Sequence, residues 1–258
     1  MTFAAMFAAV AMSFSACTKD NGDDTDKTTE TEVCEECGEA LEDCTCEDES
    51  ASAITIDGKF DDWSSLDASK VVSITGNPDA LYTALTSAKI YVDELFINIY
   101  FEFDTDQVTE GNAAFDIYLN EDDVPGAHDD YYVGQTGVDY LLEDGVFMEN
   151  GAFNSFNPGL FTYGLPAEEP WAWGWSEVLP AGSGLATGAG NGNKYELAIM
   201  KEMLQGVELA DTFSLGLMLT DITGPAGDWG CVGVLPNAAV EGENTNGKAP
   251  FVNVPNVK

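Results

Sequence analysis

The pattern of apolar and polar positions changes at residue 52, where short apolar runs separated by turn residues begin. Residues 89–103 form two such runs split at Asp93-Glu94, and the second alternates apolar and polar positions from Leu95 to Phe101. Successive side chains of a strand point to opposite faces, so this alternation predicts a strand with one buried face. Further strands are predicted at residues 54–56, 113–119, 139–143, 195–200, 213–219 and 231–235.

The order of these elements predicts an all-β fold. Glycine, proline, asparagine and aspartate break the chain at roughly regular intervals, which is typical of antiparallel β-sandwiches and barrels. The good helical signal is short, around residues 201–205, and we expect a connecting turn there. Long helices do not alternate with the strands, which disfavours a parallel α/β sheet. We therefore predict one antiparallel β-sandwich domain over residues 52–258.

A glycine-rich stretch, GSGLATGAGNG at residues 182–192, superficially resembles a phosphate-binding loop. It lacks the Lys-Ser/Thr pair that completes such a loop. We interpret it as a flexible hairpin loop.

The charge balance is strongly acidic: 46 Asp and Glu face nine Lys and no Arg, for a formal net charge of −37. Nucleic-acid binders need clustered Lys and Arg against phosphate, so that class is excluded, and phosphoryl transfer is disfavoured. His128 is the only histidine, which leaves little basis for His-based triads or metal sites, and we expect it to be an exposed turn residue. The composition favours solubility, cation binding or a cell-surface location.

The N-terminal residues 1–16 are apolar and small, and Cys17 follows directly. They are too few for a stable transmembrane helix, which needs about 20 residues, but they suit a signal peptide, although no basic residue precedes them. The segment Phe14-Ser-Ala-Cys17 resembles a bacterial lipobox with Phe14 in place of Leu, and the acidic run after it resembles the export signal of surface lipoproteins in Bacteroidetes-type bacteria. This implies acylation of Cys17, palmitate included, and anchoring in the outer membrane at the cell surface. The alternative is a secreted protein with a chance cysteine.

Residues 17–51 are predicted to be a disordered, extended linker. They hold 14 Asp and Glu against Lys19 and Lys27, a local balance of −12 that makes the segment repel itself. Four cysteines lie within it and can form two disulfides or bind one zinc ion, and a redox role is a third alternative. Oxidation outside the cytoplasm favours the disulfides, whereas the CxxC pair resembles half a zinc ribbon. These cysteines are Cys34, Cys37, Cys44 and Cys46.

The sixth cysteine, Cys231, stands alone in an apolar stretch. We expect it to be a buried free thiol.

Several segments of the domain resemble one family. Residues 54–63, ITIDGKFDDW, are similar to the opening of family 9-like carbohydrate-binding modules, which share a DOMON-like β-sandwich. Residues 88–99, 195–200 and 213–221 are similar to later strands of that family, in the same order. The resemblance implies that Trp63 anchors the first turn in the core and that the domain binds carbohydrate.

An acidic turn follows the predicted strand at residues 113–119. Asn120, Asp122 and Asp123, with Asp129 or Asp139, supply the hard oxygen ligands that Ca²⁺ prefers. The spacing is not that of an EF-hand, although the turn resembles one found in related lipoproteins. The alternative is a solvated acidic hairpin that binds no ion.

Aromatic side chains mark a candidate ligand site. Trp171, Trp173 and Trp175 recur with period 2, so on a strand all three point to one face. An exposed face would stack on the apolar faces of sugar rings, whereas an inward face would be core. Trp229 is a second candidate platform.

We predict a lipid-anchored surface protein that captures a poly- or oligosaccharide without catalysis and passes it to a neighbouring transporter or a separate hydrolase. A structural or adhesion lipoprotein that binds protein is the first alternative. An acidic glycoside hydrolase is the second, although no carboxylate pair lies in a recognisable catalytic context.

Overall fold

The computed structural model describes residues 52–80, 82–121, 138–163, 175–222, 230–237 and 251–258. All of them belong to one compact unit, Ser50–Lys258. The predictions for the signal peptide, for the linker and for Cys17, Cys34, Cys37, Cys44 and Cys46 lie outside the described residues.

Strands dominate the described part of the chain, and helices are limited to single turns. The α-helical turn is α1 (Asp62–Ser65), and 3-10 turns lie at Ala68–Lys70, Thr105–Gln107, Thr109–Gly111 and Lys201–Met203. No helix among the described residues is long and apolar enough to cross a membrane. The strands are β1 (Val71–Thr75), β2 (Leu85–Val92), β3 (Phe96–Phe103), β4 (Ala113–Asn120), β5 (Tyr140–Glu149), β6 (Ala152–Phe153), β7 (Gly159–Tyr163), β8 (Trp175–Leu179), β9 (Ala186–Asn191), β10 (Lys194–Met200), β11 (Thr212–Asp221), β12 (Gly230–Leu235) and β13 (Val252–Pro255).

Two antiparallel sheets pack face to face, and the predicted all-β sandwich is confirmed. The five-stranded sheet has the order β1-β2-β3-β10-β9, and the eight-stranded sheet has the order β12-β11-β4-β5-β7-β8. In the latter, β13 pairs with β11 and β6 pairs with β5. All the strands predicted after residue 88 are present, and the helical signal at residues 201–205 is a 3-10 turn, as expected.

Aromatic rings fill the space between the sheets. Phe101 of β3 stacks on Phe115 of β4 with ring centroids 4.3 Å apart and planes 13° from parallel. Phe147 of β5 meets Phe101 and Phe103 edge-on. Offset and edge-on pairs are the arrangements that aromatic rings prefer. The rings therefore join strands of both sheets into one core.

The two sides of the sandwich are closed in different ways. On one side, Thr83 forms a β-bridge with Gly233 of β12, which links the start of β2 to the edge of the other sheet. On the opposite side, the ring of Phe153 in β6 lies where a side chain at Gly190 of β9 would point. Residues 82–84 thus pair along β12, and Phe153 packs on the inner face of β9.

Two predictions about local structure are wrong. Residues 54–56 form no strand, because Ile54 packs with Trp63 and Tyr100 on the outer face of the five-stranded sheet instead of pairing along an edge. The glycine-rich stretch is not a flexible loop, since residues 186–191 form β9 and pair with β10. Position 188 of this strand is a glycine because a Cβ there would overlap the Tyr195 ring.

Candidate functional site

A second apolar layer covers the side of the eight-stranded sheet that faces away from the core. Strands alternate their side chains between two faces, so Ile117 and Leu119 of β4 enter the core while Tyr118 points outward. We call this second layer the outer cluster. Its buried members are Tyr118, Val138, Leu141, Met218 and Val234, and Phe161, Trp175, Cys231 and Phe251 pack against them.

A glycine makes room for one ring of the outer cluster. Gly216 of β11 lies opposite Tyr118 in the register of β4 and β11. A Cβ added to Gly216 would lie 2.7 Å from Cε1 of Phe251, closer than real Cβ contacts come. The ring of Phe251 therefore lies across β11, and the segment leading into β13 covers part of this face.

Polar side chains lie among the apolar ones on the same face. Asp116 of β4 is 3% exposed, and Thr220 Oγ1 donates a hydrogen bond of 3.4 Å to Asp116 Oδ2. Cys231 of β12 lies opposite Thr220 and is a partly buried free thiol, largely as predicted. Burial, followed by the nearby charge of Asp116, raises the pKa of the Cys231 thiol to about 12. The thiol is protonated at neutral pH, so it is a poor nucleophile there.

Trp175 lies at the edge of the outer cluster. It begins β8, whose only strand neighbour among the described residues is β7, and it lies opposite Tyr163 in their register. The side chain is partly buried against the outer cluster and takes no part in the main core. Ser176 and Glu177, which follow it on β8, are exposed. Trp171, Trp173 and Trp229 lie outside the described residues.

The structure brings two of the candidate calcium ligands to one place. Asn120 ends β4 and is buried, whereas Asp139 directly precedes β5. The backbone N–H of Asp139 donates to the Leu119 carbonyl at 3.0 Å, and Asp139 Oδ2 accepts a 3.0 Å hydrogen bond from the N–H of Glu121. Asp139 therefore lies beside the end of β4. Asp122, Asp123, Asp129 and His128 are outside the described residues.

Two acidic residues near Asp139, Glu121 and Glu208, were not predicted as calcium ligands. Glu121 Oε2 accepts a hydrogen bond of 3.0 Å from the backbone N–H of Glu208. Burial raises the pKa of Tyr140, and the charges of Glu121, Asp139 and Glu208 raise it further. Within the described ranges, no group of three or more His, Cys, Asp or Glu is arranged to hold a metal ion. The described residues thus form an acidic region without a completed metal site.

A buried carboxylate on the other sheet was also missed by sequence reasoning. Glu196 of β10 is 1% exposed. It accepts hydrogen bonds from Trp63 Nε1 at 2.9 Å and from the backbone N–H groups of Gly58 and Asp57 at 2.8 and 3.0 Å. Trp63 is buried, as the family resemblance implied, but in a separate small cluster with Ile54 rather than between the sheets. Glu196 therefore holds residues 57–63 against β10.

The comparisons with known proteins assign no family. Neither the protein-family models nor the curated proteins yield a match to this chain. Its function must therefore be argued from its own residues.

Proposed function

We propose that this protein is a lipid-anchored cell-surface protein whose β-sandwich captures a poly- or oligosaccharide without chemical conversion. The observation that supports this proposal is the position of Trp175, which is partly exposed on the outer face of a sheet and begins an edge strand. A ligand could reach the exposed part of a tryptophan in this position from solvent.

The chemistry of this edge suits a sugar. Sugar rings present apolar C–H faces that stack on aromatic side chains, while their hydroxyl groups bond to nearby polar side chains. Trp175 would supply the aromatic surface, and the exposed Ser176 and Glu177 lie next to it on β8. Trp173 and Trp171 precede Trp175 with period 2 in the sequence and would extend the same platform. The acyl chains on Cys17 would hold the domain where it can reach polymers outside the cell and pass them to a neighbouring transporter.

Glycan-array and affinity-gel binding test the ligand. The protein would carry Cys17→Ser, which removes the proposed acylation site, and would be compared with the same protein carrying Trp175→Ala. Tyr82→Ala is the matched control because Tyr82 is an exposed aromatic residue, 41% accessible, beside β12 at the opposite edge of the sheet. We expect retention by at least one polysaccharide, a loss of about tenfold or more in affinity for Trp175→Ala, since stacking and burial of one ring contribute one to a few kcal/mol, and no change for Tyr82→Ala.

Other results would redirect the assignment. Equal retention of the Trp175→Ala variant would place any glycan site elsewhere. The absence of retention by every polysaccharide would favour the adhesion protein, and release of reducing sugar would favour the hydrolase.

Cell fractionation tests the anchor separately. Cys17→Ser should move the protein from the membrane fraction to the soluble fraction, and unchanged fractionation would reject the lipoprotein assignment.

A further inference from the structure

The strand β1 forms an open edge of the five-stranded sheet. It pairs with β2 through all five residues without a register shift, from Val71 opposite Tyr91 to Thr75 opposite Ser87. Across residues 52–80, 82–121, 138–163, 175–222, 230–237 and 251–258, no strand pairs with its other side. Backbone N–H and C=O groups along such an edge can pair with another strand.

Within the part of the chain that the structure describes, this edge lacks the features that usually protect edge strands. Proteins protect them with charged side chains, proline, bulges or a covering segment. The β1 sequence, VVSIT, holds no charge and no proline, and its pairing has no bulge. By comparison, β8 carries the exposed carboxylate of Glu177, and β9 is rich in glycine, with Phe153 packed on its inner face.

The charge around β1 differs from that of the rest of the chain. Residues 68–92, which span β1 and β2, contain one carboxylate, Asp79, and two lysines, Lys70 and Lys89. The chain as a whole carries a formal net charge of −37, so two copies repel each other over most of their surface. Two copies that approach through β1 bring together segments, residues 68–92, that do not carry this excess negative charge, although Asp67 directly precedes them and Asp93 and Glu94 directly follow.

We propose that β1 is a self-association edge and that its occupant is β1 of a second copy, paired antiparallel about Ser73. In this register Ser73 faces its own counterpart and Lys70 faces Gly76, so no like charges are opposed over residues 70–76. Val72 and Ile74 both pack against the main core, and each lies opposite the other across the junction. Val71 and Thr75 meet in the same way on the outer face. The strand is therefore complementary to itself in polarity on both faces.

The consequence is one continuous sheet of ten strands, five from each copy. A two-fold axis at Ser73 closes the assembly at two copies, because the same edge is used on both sides. A five-residue edge buries less surface than a standard protein interface, so the dimer is expected to be weak. The edge strand β8 lies on the opposite side of the sandwich and stays accessible in both copies.

Sedimentation equilibrium of the full chain with Cys17→Ser tests this inference, under reducing conditions and up to high micromolar concentration. Ser73 is exposed, so Ser73→Lys and Ser73→Glu leave the core intact while they place like charges opposite each other. The matched control is Ser176→Lys, which alters an exposed serine on β8, a terminal strand of the eight-stranded sheet. We expect the parent protein and Ser176→Lys to dimerise, more so as salt screens the overall repulsion.

The decisive step is to mix the two charged variants. Ser73→Lys and Ser73→Glu should each be monomeric alone and should form a mixed dimer when combined in equal amounts, because the opposed charges then attract. Circular dichroism and thermal melting confirm that each variant is folded. A parent protein that stays monomeric at high salt would overturn the inference. A dimer that survives Ser73→Lys, or a mixture that fails to pair, would equally overturn it.

Discussion

The indole N–H of Trp63 donates a hydrogen bond of 2.9 Å to Glu196, a residue 133 positions later in the chain. The same carboxylate accepts hydrogen bonds from the N–H groups of Gly58 and Asp57. A carboxylate is an acceptor with several lone-pair sites, so one buried side chain can satisfy three donors at once. Through Glu196, residues 57–63 are fastened to β10, an inner strand of the five-stranded sheet.

Replacing Glu196 with Ala should destabilise the domain strongly. Three N–H donors would lose their acceptor, and buried donors without partners are costly. We expect the free energy of unfolding to fall by roughly 3 kcal/mol, measured by urea denaturation. The control is Glu177→Ala, which removes an exposed carboxylate and should change stability by less than about 0.5 kcal/mol.

A double-mutant cycle isolates the bond between the two side chains. Trp63→Phe removes the indole donor but keeps an aromatic ring in the cluster with Ile54 and Tyr100. Combined with Glu196→Ala, it should reveal a coupling free energy of about 1 kcal/mol or more. Strictly additive effects would mean that Trp63 and Glu196 stabilise the fold independently.

Gly188→Ala should also destabilise the domain, by about 1–3 kcal/mol, because a methyl group there overlaps the ring of Tyr195. Tyr195 is fully buried, and its hydroxyl donates a hydrogen bond of 2.6 Å to the Asn154 carbonyl, so the ring cannot move freely. Urea denaturation provides the measurement. Gly230→Ala is the control, since among the described residues only the Asp221 carbonyl oxygen, 4.0 Å away, lies near its added Cβ. Equal stability of the two variants would contradict this account of β9.

The strands that sequence reasoning identified are those that carry alternating or continuous apolar side chains. Residues 186–191 lack that signal because their glycines are selected by the neighbouring rings of Phe153 and Tyr195, which are distant in sequence. Residues 54–56 carry the signal without forming a strand, because their apolar side chains are buried by packing on a face. In both cases tertiary packing outweighs local propensity.

For a similar reason, the sequence predicted only part of the candidate sites. Period 2 predicts alternate tryptophans on one face, but which face is exposed depends on how the sheets pack, and the structure describes only Trp175 among them. Glu196 did carry a signal, since it is a charged residue inside the apolar run YELAIM. Buried acidic residues need hydrogen-bond partners. The partner Trp63, however, could not be inferred from spacing.

The Cys231 thiol should react slowly with thiol reagents in the folded domain. Its pKa is raised to about 12, so at pH 8 only about one thiol in ten thousand is ionised. Residues 52–258, which form the compact unit and contain no other cysteine, allow a direct measurement with a chromogenic disulfide reagent. We expect slow labelling in buffer and fast labelling in denaturant. Equally fast labelling in both would show that the thiol is accessible in the native state.

The same shift predicts a dependence of stability on alkaline pH. The pKa of Cys231 is higher in the folded state than in the unfolded state, so folding is favoured while the thiol is protonated in both states. This contribution is lost as the pH rises from the unfolded pKa, near 8.5, towards about 12. The loss in stability over this window should be smaller for Cys231→Ala than for the parent domain. If the stability of Cys231→Ala falls with pH as steeply as that of the parent domain, other groups cause the loss.

Calcium should raise the melting temperature of the domain if the acidic region beside β4 binds it. Asp139 lies beside Glu121 at the end of β4, and the loop after Glu121 supplies Asp122 and Asp123 in sequence. Clustered carboxylates repel one another unless a cation lies among them. A bound Ca²⁺ would stabilise the native state by about 2.7 kcal/mol at a hundredfold excess over its dissociation constant.

Constant ionic strength separates specific binding from general screening of the net negative charge. Under that condition we expect Ca²⁺ to raise the melting temperature, a chelator to reverse the change, and Mg²⁺ to act less because it prefers a rigid octahedral shell. Asp122→Ala combined with Asp123→Ala should abolish the calcium-specific increase. Asp139→Asn should reduce this increase, because a negative charge is lost. The amide oxygen can still accept the hydrogen bond from the Glu121 N–H, so the local structure is kept. Asp79→Asn removes an exposed carboxylate between β1 and β2 and should keep the full increase. A double variant that responds like the parent protein would show that the ion binds elsewhere or that this acidic turn is simply hydrated.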